Sequence, residues 1–363
     1  MTSYHCSNCK RPYPETGVPY RCQHCGGVFA LNGEIIYSAD QVDGSQAGLW
    51  RYRHSFGLPE GAPAISLGEG DTPLIEGQGF GKRLAFKLEY LNPSGSFKDR
   101  GTAPLASLLF TRGVKEAVED SSGNAGASFS AYAARAGIKA RVFVPSYASG
   151  PKRKQIEAYG AELVPILGPR SEAAAAVRKA ADEGAVYASH AFLPFGLPGI
   201  ATIAYELVEQ LGGPPGSIIA PAGHGSLLLG IAKGFAALKA TGIIPINPVL
   251  VGVQARACAP LWALSTQGAA GLGWVSEGET LAEGVRVLQP LRGDELLQAV
   301  EASAGRFVAV EEEQILPARD ALAKAGLFVE PTSAIVWAAL QELAADLPEP
   351  IVLILTGSGL KAL

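Results

Sequence analysis

The chain of 363 residues is long enough for about two domains, and 48% hydrophobic against 18% charged residues provides material for sizeable cores. Its formal net charge of −4 shows no excess of either sign, which argues against nucleic acid or an anionic membrane surface as a partner. The sequence has no apolar run long enough to span a membrane and no signal peptide, so we expect a cytoplasmic globular protein.

Four of the five cysteines lie near the N-terminus as two CxxC pairs. Cys6 pairs with Cys9 and Cys22 pairs with Cys25, with twelve residues between the pairs. Four thiolates complete the tetrahedral shell that zinc prefers, and closed four-cysteine sites hold structure together and do no chemistry. We therefore predict a zinc ribbon over residues 1–45 with structural Zn²⁺.

After this segment, short apolar strands alternate with helices, most of them of ten or more residues. In chain order we predict strand 84–91, helix 102–112, strand 117–122, helix 127–137, strand 140–145, helix 152–160, strand 162–167, helix 171–184, helix 202–213, strand 217–222, helix 227–242, strand 248–255, helix 311–326, helix 333–346 and strand 350–356. Such alternation predicts an α/β fold whose parallel sheets are covered on both faces. Ligands in these folds bind beyond the carboxyl ends of the strands.

Four of the loops at these strand ends carry unusual residues. They are NPSGSFKDRG (92–101), SSGNAG (121–126), AGHGSLLLG (222–230) and TGSGL (356–360). Taken singly, a glycine-rich loop is more often tight packing and a lone lysine a surface charge. Together they match pyridoxal phosphate (PLP), which needs an amine, a phosphate cradle at a helix N-terminus and groups that tune its ring.

With these motifs the chain resembles the threonine synthase family of fold type II, tryptophan-synthase-β-like PLP enzymes. The resemblance extends over nearly the whole chain and includes SLGEGDTPL (66–74), SSGNAGASFSAYAARAGI (121–138), EPTSA (330–334), LTGSGLK (355–361) and the N-terminal cysteine extension. It implies two open, twisted parallel-sheet domains in addition to the ribbon: a large PLP-binding domain of residues 46–96 and 188–363, and a small domain of residues 97–187. It also implies a homodimer.

The resemblance further assigns the cofactor residues. Lys98 would carry PLP as a Schiff base, with Phe97 beside it, and once freed would act as general base and acid. Asn124 would hydrogen-bond the 3′-oxygen, and Ser358 would face the pyridine nitrogen. The phosphate cradle would consist of Ala222, Gly223, His224, Gly225 and Ser226.

An amino-acid substrate is implied as well. Its α-carboxylate would lie at the helix start formed by Ser121, Ser122, Gly123, Asn124 and Ala125. His190 and Glu283 are expected as further residues of the substrate site.

One segment departs from the family. Threonine synthases convert O-phosphohomoserine and water to threonine and phosphate, and an arginine clamps the substrate's phosphate. Here that arginine aligns with Gly196, and the preceding Asn-Ser aligns with His190 and Ala191.

Three interpretations therefore stay open. The first is threonine synthase. The second is a paralogue with another substrate, such as a serine/threonine dehydratase or a cysteine- or cysteate-synthase-like enzyme. The third is a non-catalytic PLP-fold binding protein whose ribbon recruits a partner.

Overall fold

The computed structural model describes residues 2–147 and 150–363. Met1, Ala148 and Ser149 fall within the predicted ribbon and the predicted small domain and lie outside the described residues. The strands are β1 (Tyr4–Cys6), β2 (Phe29–Leu31), β3 (Leu74–Gly79), β4 (Lys82–Lys87), β5 (Glu116–Glu119), β6 (Lys139–Pro145), β7 (Glu162–Ile166), β8 (Val186–Tyr187), β9 (Ser217–Pro221), β10 (Val249–Ala255), β11 (Arg306–Val310) and β12 (Ile351–Ile354).

The helices alternate with these strands over most of the chain. They are α1 (Lys98–Thr111), α2 (Asn124–Ala136), α3 (Pro151–Ala158), α4 (Arg170–Asp182), α5 (Leu197–Leu211), α6 (Ser226–Ala240), α7 (Pro260–Gln267), α8 (Gly293–Ala302), α9 (Glu312–Lys324) and α10 (Pro331–Leu343). No helix of the described chain is long and apolar enough to cross a membrane.

Every strand and helix predicted from the sequence is present, and the largest differences are at helix starts. Helix α5 begins at Leu197, five residues before the predicted 202. Pro198 and Gly199 disfavour a helix interior, but proline is tolerated in a first turn. A Cβ at Gly199 would lie 1.9 Å from the carbonyl oxygen of Arg100, so close packing against α1 requires glycine there.

The chain forms two compact units. The first contains the chain up to Gly70, Asn92–Gly199 and Leu363; the second contains Asp71–Leu91 and Ile200–Ala362. The first unit thus takes in residues 46–70 and 188–199, which the sequence analysis places in the large domain. One cause lies in Glu69, whose carboxylate accepts hydrogen bonds from Trp50 Nε1 and Tyr132 Oη, both at 2.6 Å, and so fixes residues 46–70 to α2.

The first unit is built on a four-stranded parallel sheet in the order β7-β6-β5-β8. Its N-terminal part, here called the cysteine ribbon (residues 2–31), contains the antiparallel pair β1–β2. The ribbon packs its aromatic rings against the β8–α5 segment (residues 188–196). Tyr4 and Tyr13 lie with ring centroids 4.6 and 4.8 Å from Phe195, and Tyr20 lies 5.3 Å from Phe192.

The second unit is built on a six-stranded sheet in the order β11-β10-β9-β12-β4-β3. All neighbours are parallel except β3 and β4, which form an antiparallel hairpin. Phe80 and Gly81 join them with φ of 53° and 73°, the pair of left-handed residues that a two-residue hairpin turn of type I′ requires. Strand β3 is mostly exposed and lacks the apolar pattern of a buried strand, which is why the sequence analysis missed it.

The ribbon strands and four other elements were also not predicted: β8, β11, α7 and α8. Helix α8 buries Leu296 and Val300, four residues apart, while its other face is polar. This helical spacing was a signal that the sequence analysis could have used. Strand β8 has only two residues and carries no detectable pattern.

Candidate active site

The four N-terminal cysteines form a candidate metal centre. Their sulfurs all lie within 4.8 Å of one another, with 3.5 Å from Cys6 to Cys25 and 3.7 Å from Cys9 to Cys22. Sulfurs about 2.3 Å from a tetrahedral zinc ion lie about 3.8 Å apart, so this donor set fits zinc. A Cβ at Gly27 would come within 2.8 Å of the Cys6 sulfur, so glycine keeps this space free.

Lys98 is the first residue of α1, and the turn before it is fixed by a buried carboxylate. Asp99 accepts hydrogen bonds from the backbone N–H and the hydroxyl of Ser94, both at 2.6 Å. The Lys98 Nζ lies 4.9 Å from the centroid of the Phe97 ring. Asp99 thus anchors the loop that presents the lysine, a role that the sequence analysis did not assign.

The loop of residues 121–126 leads directly into α2, whose first residue is Asn124. The hydroxyl of Ser121 accepts a hydrogen bond from the Gly123 N–H at 3.2 Å. A Cβ at Gly126 would lie 1.8 Å from the Ser121 carbonyl oxygen, so this fold of the loop requires glycine. Within the described residues, the N–H groups of Ala125 and Gly126 donate no hydrogen bond. They form a helix N-terminus suited to an anion such as a carboxylate.

A second polar group lies at the carboxyl ends of β5 and β8. The Nδ1 atom of His190 is 3.1 Å from Oε1 of Glu119, and the hydroxyl of Tyr187 donates to Asp120 at 2.7 Å. Burial, and secondarily the charge of Asp120, raises the pKa of Glu119 well above its usual range, while the nearby charge of Lys98 lowers it. The structure thus places His190 against a buried acid in the unit that contains Lys98.

In the second unit, the loop of residues 222–226 ends at Ser226, the first residue of α6. The Ala222 N–H donates to the carbonyl of Val253 at 2.8 Å, and Gly225 adopts a φ of +95°. Among the described residues, no acceptor is bound to the N–H groups of Gly225, Ser226 or Leu227. Free N–H groups at a helix N-terminus are the donors that a phosphate needs, so this loop fits the predicted cradle.

Contacts within the second unit bring this loop close to the other predicted segments. A Cβ at Gly223 would lie 2.8 Å from the carbonyl oxygen of Gly284. The Gly284 N–H donates to the Thr332 hydroxyl at 3.0 Å, and the Glu330 N–H donates to the Gly357 carbonyl at 3.0 Å. The loop 222–226, the turn 283–285 and the segment 356–358 are therefore linked through the start of α10.

Ser358 and Glu283 lie in these linked segments. Ser358 is partly buried, and its hydroxyl accepts a hydrogen bond from the Leu360 N–H at 3.3 Å. Glu283 is exposed at the start of its turn.

Each unit also holds a buried hydroxyl that is unsatisfied beside predicted cofactor residues. The Oγ atom of Ser96 in the first unit and Oγ1 of Thr356 in the second have no hydrogen-bond partner among the described residues. Buried polar atoms without partners are uncommon in proteins and call for a ligand or another explanation. Each unit thus has unsatisfied polar groups of the kind that bind a polar ligand.

Asp99 and Glu119 were not predicted as site residues. Glu119 ends an apolar strand and Asp99 directly follows the lysine, and neither position is usual for an exposed charge. Both are fully buried in the structure. Neither signal names a partner, and the partners become visible only in three dimensions.

Comparison with protein families identifies the chain. Residues 65–357 match the family model described as "Pyridoxal-phosphate dependent enzyme". The chain is 34% identical to the threonine synthase of Methanocaldococcus jannaschii, over 98% of this chain and 92% of that protein. It is likewise 34% identical to the threonine synthase of Synechocystis, over 92% of this chain and 89% of that protein.

Solved structures agree with this assignment. A threonine deaminase from T.th. superposes with a TM-score of 0.64 at 29% identity, covering 79% of this chain and 92% of that one. Maize serine racemase superposes with a TM-score of 0.68 at 24% identity, covering 79% and 88%, and so shows the same fold. The predicted α/β fold of a fold type II PLP enzyme is confirmed. The chain therefore belongs to the pyridoxal-phosphate dependent enzyme family and, within it, to the threonine synthase group of carbon–oxygen lyases.

Proposed function

We propose that the protein converts O-phosphohomoserine and water to threonine and phosphate. The observation that carries this proposal is the 34% identity with a threonine synthase over 98% of the chain, combined with Lys98 at the start of α1. The loops 121–126 and 222–226 supply the two helix N-termini that a substrate carboxylate and a cofactor phosphate need.

The residues that would hold PLP are the ones named from the resemblance. The N–H groups of 223–226 would bind its phosphate, Asn124 its 3′-oxygen, and Ser358 its ring nitrogen. When bound, PLP supplies an electron sink for the carbon atoms of the substrate amino acid.

Lys98 would be the proton carrier of the reaction. Its amine would take the proton from the substrate Cα and return protons to carbon later in the reaction. Asp99 fixes the turn before the lysine, and the first turn of α2 would hold the α-carboxylate. Both interactions orient the Cα–H bond toward the amine.

A second candidate function is favoured by Gly196. The phosphate-clamping arginine of threonine synthases aligns with this glycine, and a Cβ there would lie 3.0 Å from both Cα and the carbonyl oxygen of Gly101. The backbone at this position packs against α1, which leaves little room for a side chain. An amino acid without a phosphate group, such as serine or threonine, would not need the clamp. Elimination of water from it, followed by hydrolysis of the resulting imine, releases ammonia and a keto acid.

We further propose that the cysteine ribbon holds structural Zn²⁺, that the enzyme is a homodimer, and that it is cytoplasmic. The sulfur geometry supports the first of these proposals. The other two follow from the family resemblance.

One experiment separates the two functions. The purified, PLP-loaded protein is incubated with O-phospho-L-homoserine, and phosphate and threonine are measured together. Equal amounts of both products support threonine synthase. Keto acid from L-threonine or L-serine, without phosphate release from O-phospho-L-homoserine, supports the dehydratase. The Lys98→Ala variant, which lacks the amine, is the control and should turn over none of these substrates.

A further inference from the structure

We infer that Glu119 and His190 form a hydrogen-bonded pair that presents the Nε2–H of His190 to the oxygen leaving group of the substrate. His190 would be the residue in contact with substrate, and Glu119 its positioning residue. The inference rests on the proposed class of reaction, in which a carbon–oxygen bond breaks. It adds Glu119, which no sequence motif identifies, and gives His190 a defined chemical role.

The sheet brings the two residues together from distant parts of the chain. Strands β5 and β8 are parallel neighbours with Val118 opposite Tyr187. The Ala188 N–H extends this pairing by donating to the Val118 carbonyl at 2.9 Å. Glu119 and His190 therefore leave the sheet at the same edge, directly before and beside the loop that leads to α2.

The contact between them leaves the carboxyl group half satisfied. Oε1 of Glu119 lies 3.1 Å from Nδ1 of His190, and the two side chains are 1% and 21% exposed. Oε2 of Glu119 is buried and has no hydrogen-bond partner among the described residues. An ionised carboxyl in such a place is poorly solvated, so the pair gains by holding two protons and no net charge.

The number of protons on the pair fixes the state of the other imidazole nitrogen. With one proton on the pair, the carboxylate accepts from Nδ1–H of a neutral ring and Nε2 carries no hydrogen. With two protons, either the carboxyl O–H donates to Nδ1 of a neutral ring or the carboxylate accepts from Nδ1–H of a charged ring, and Nε2 carries hydrogen in both cases. The buried Oε2, unpaired within the described residues, favours the two-proton states, because they leave no net charge on the pair. His190 is then a hydrogen-bond donor and acid at Nε2.

The surrounding charges support this state. Burial and Asp120 raise the pKa of the Glu119 carboxyl, whereas Lys98 and Arg170 lower it, and the net change is upward. The Tyr187 hydroxyl donates its hydrogen bond to Asp120, at 2.7 Å. Lys98, the proposed proton carrier, is one of the charges that act on Glu119.

The proposed step breaks one carbon–oxygen bond and moves two protons. Lys98 takes a proton from the substrate carbon, and the carbon–oxygen bond breaks with both electrons going to oxygen. That oxygen receives the Nε2 proton and leaves as water or, from a phosphorylated substrate, as phosphate. His190 regains its proton from solvent or from the protonated Lys98, so no oxidant or further reactant is needed.

The first test measures the imidazole directly, without turnover. The chain has five histidines, so ¹⁵N-histidine labelling of the PLP-loaded protein gives few signals, and the His190→Asn spectrum assigns that of His190. We expect Nε2 to stay protonated between about pH 6 and pH 8. In Glu119→Gln the ring should titrate near the ordinary value of about 6.5. A wild-type Nε2 without hydrogen at about pH 7 would overturn the inference.

The second test compares leaving groups. β-Chloro-L-alanine releases chloride, a leaving group that needs no proton. O-Phospho-L-homoserine, L-threonine and L-serine instead release phosphate or water, whose oxygen atom was bonded to carbon. We expect Glu119→Gln and His190→Asn to lower kcat/KM for the best oxygen substrate by about 10²-fold or more and to change chloride release little. Tyr187→Phe is the matched control, because it removes the neighbouring hydrogen bond to Asp120 and should leave the ratio of the two rates unchanged.

The outcomes distinguish this inference from the proposed function. Equal losses with chloride and oxygen substrates would show a merely structural pair and overturn the inference alone. A wild-type protein that releases chloride but turns over no oxygen substrate would overturn the proposed function and the inference together. A selective loss with the oxygen substrate, whichever substrate that is, supports the inference.

Discussion

Two buried glutamates of this protein have opposite environments. Glu206 in the second unit is 1% exposed, and both of its oxygens are bonded: Oε2 lies 2.7 Å from Lys87 Nζ, and Oε1 accepts from the Asp71 N–H at 2.9 Å. The ammonium group of Lys87 also donates to the Thr72 carbonyl at 2.7 Å and to Gln210 at 2.9 Å. Glu119 in the first unit has one bonded oxygen and one without a partner among the described residues.

The difference separates a structural charge from a reactive one. A carboxylate with both oxygens bonded to fixed donors holds neighbouring elements in place and has no unbonded oxygen to offer a ligand. A buried carboxyl with one free oxygen and a neighbouring imidazole can exchange a proton at low cost. Incomplete satisfaction and a perturbed pKa are features that functional sites accumulate.

Removal of the metal should have the largest effect, and it should affect the unit that contains Glu119 but not the Lys87–Glu206 pair. The cysteine ribbon packs on the β8–α5 segment, which contains His190, and structural zinc in small domains contributes roughly 10–16 kcal/mol to folding. We expect chelation to unfold the ribbon and raise KM for the substrate, while the Lys87–Glu206 pair stays intact. Zinc content, circular dichroism and KM check this expectation; an unchanged KM after complete metal loss would contradict it.

Lys87→Met should be the most damaging single substitution for stability. It leaves the Glu206 carboxylate buried and unpaired, which costs about 3–5 kcal/mol. The double variant Lys87→Met/Glu206→Leu should recover much of this loss because no charge remains buried. The midpoint of urea unfolding measures both variants.

The control for this prediction is Lys139→Met. Lys139 forms an exposed ion pair with Glu116 at 3.4 Å, and such pairs contribute up to about 1 kcal/mol. Equal shifts in Lys87→Met and Lys139→Met would remove the distinction between a buried and an exposed pair.

Gly196→Arg introduces the arginine that the family resemblance leads us to expect at this position, and we expect it not to bind the substrate's phosphate. Its Cβ would press against the backbone of Gly101, and overpacking of this kind costs about 1–3 kcal/mol. We expect a lower unfolding midpoint and no fall in KM for O-phospho-L-homoserine. Gly213→Arg is the control, because no atom lies within 4 Å of a Cβ there. A stable Gly196→Arg variant with tighter substrate binding would show that the segment tolerates the clamp.

The smallest effect is the pH dependence of stability. The pKa of Glu119 is raised in the folded protein, so the folded state binds its proton more tightly than the unfolded chain does. The free energy of unfolding should therefore fall as the pH rises above about 4.3, the ordinary pKa of glutamate, with a slope of at most about 1.4 kcal/mol per pH unit. Above that pH, the urea midpoint of Glu119→Gln should depend less on pH than the midpoint of the wild-type protein. Parallel curves for the two proteins would argue against a raised pKa of Glu119.

The elements that were predicted well have patterns contained in a short stretch of chain. The CxxC spacing placed four sulfurs in one cluster because each pair is held by its own turn. Strand β10 and helix α6 were predicted within two residues because they are apolar runs bounded by polar loops. The hairpin strand β3 was missed because its side chains are mostly exposed and carry no pattern.

The residues of the candidate site also divide into those with a local sequence pattern and those without one. Lys98, Asn124 and the loop 222–226 could be proposed from the sequence because each lies in a motif that resembles the family, and the structure places each at a helix start. The partner of His190 was not found, because Glu119 lies 71 residues earlier in the chain. The two meet only because β5 and β8 are neighbours in the sheet, and the order of strands is not written in any one segment.

The sequence by itself determined the fold class, the four-cysteine cluster and the helix starts that suit a cofactor and a carboxylate. Only the tertiary structure decided which buried charges are satisfied, and that Gly196 lies against α1. The physical reason is that hydrophobic periodicity and turn chemistry act over a few residues. The burial and pairing of a side chain depend on every element that packs around it.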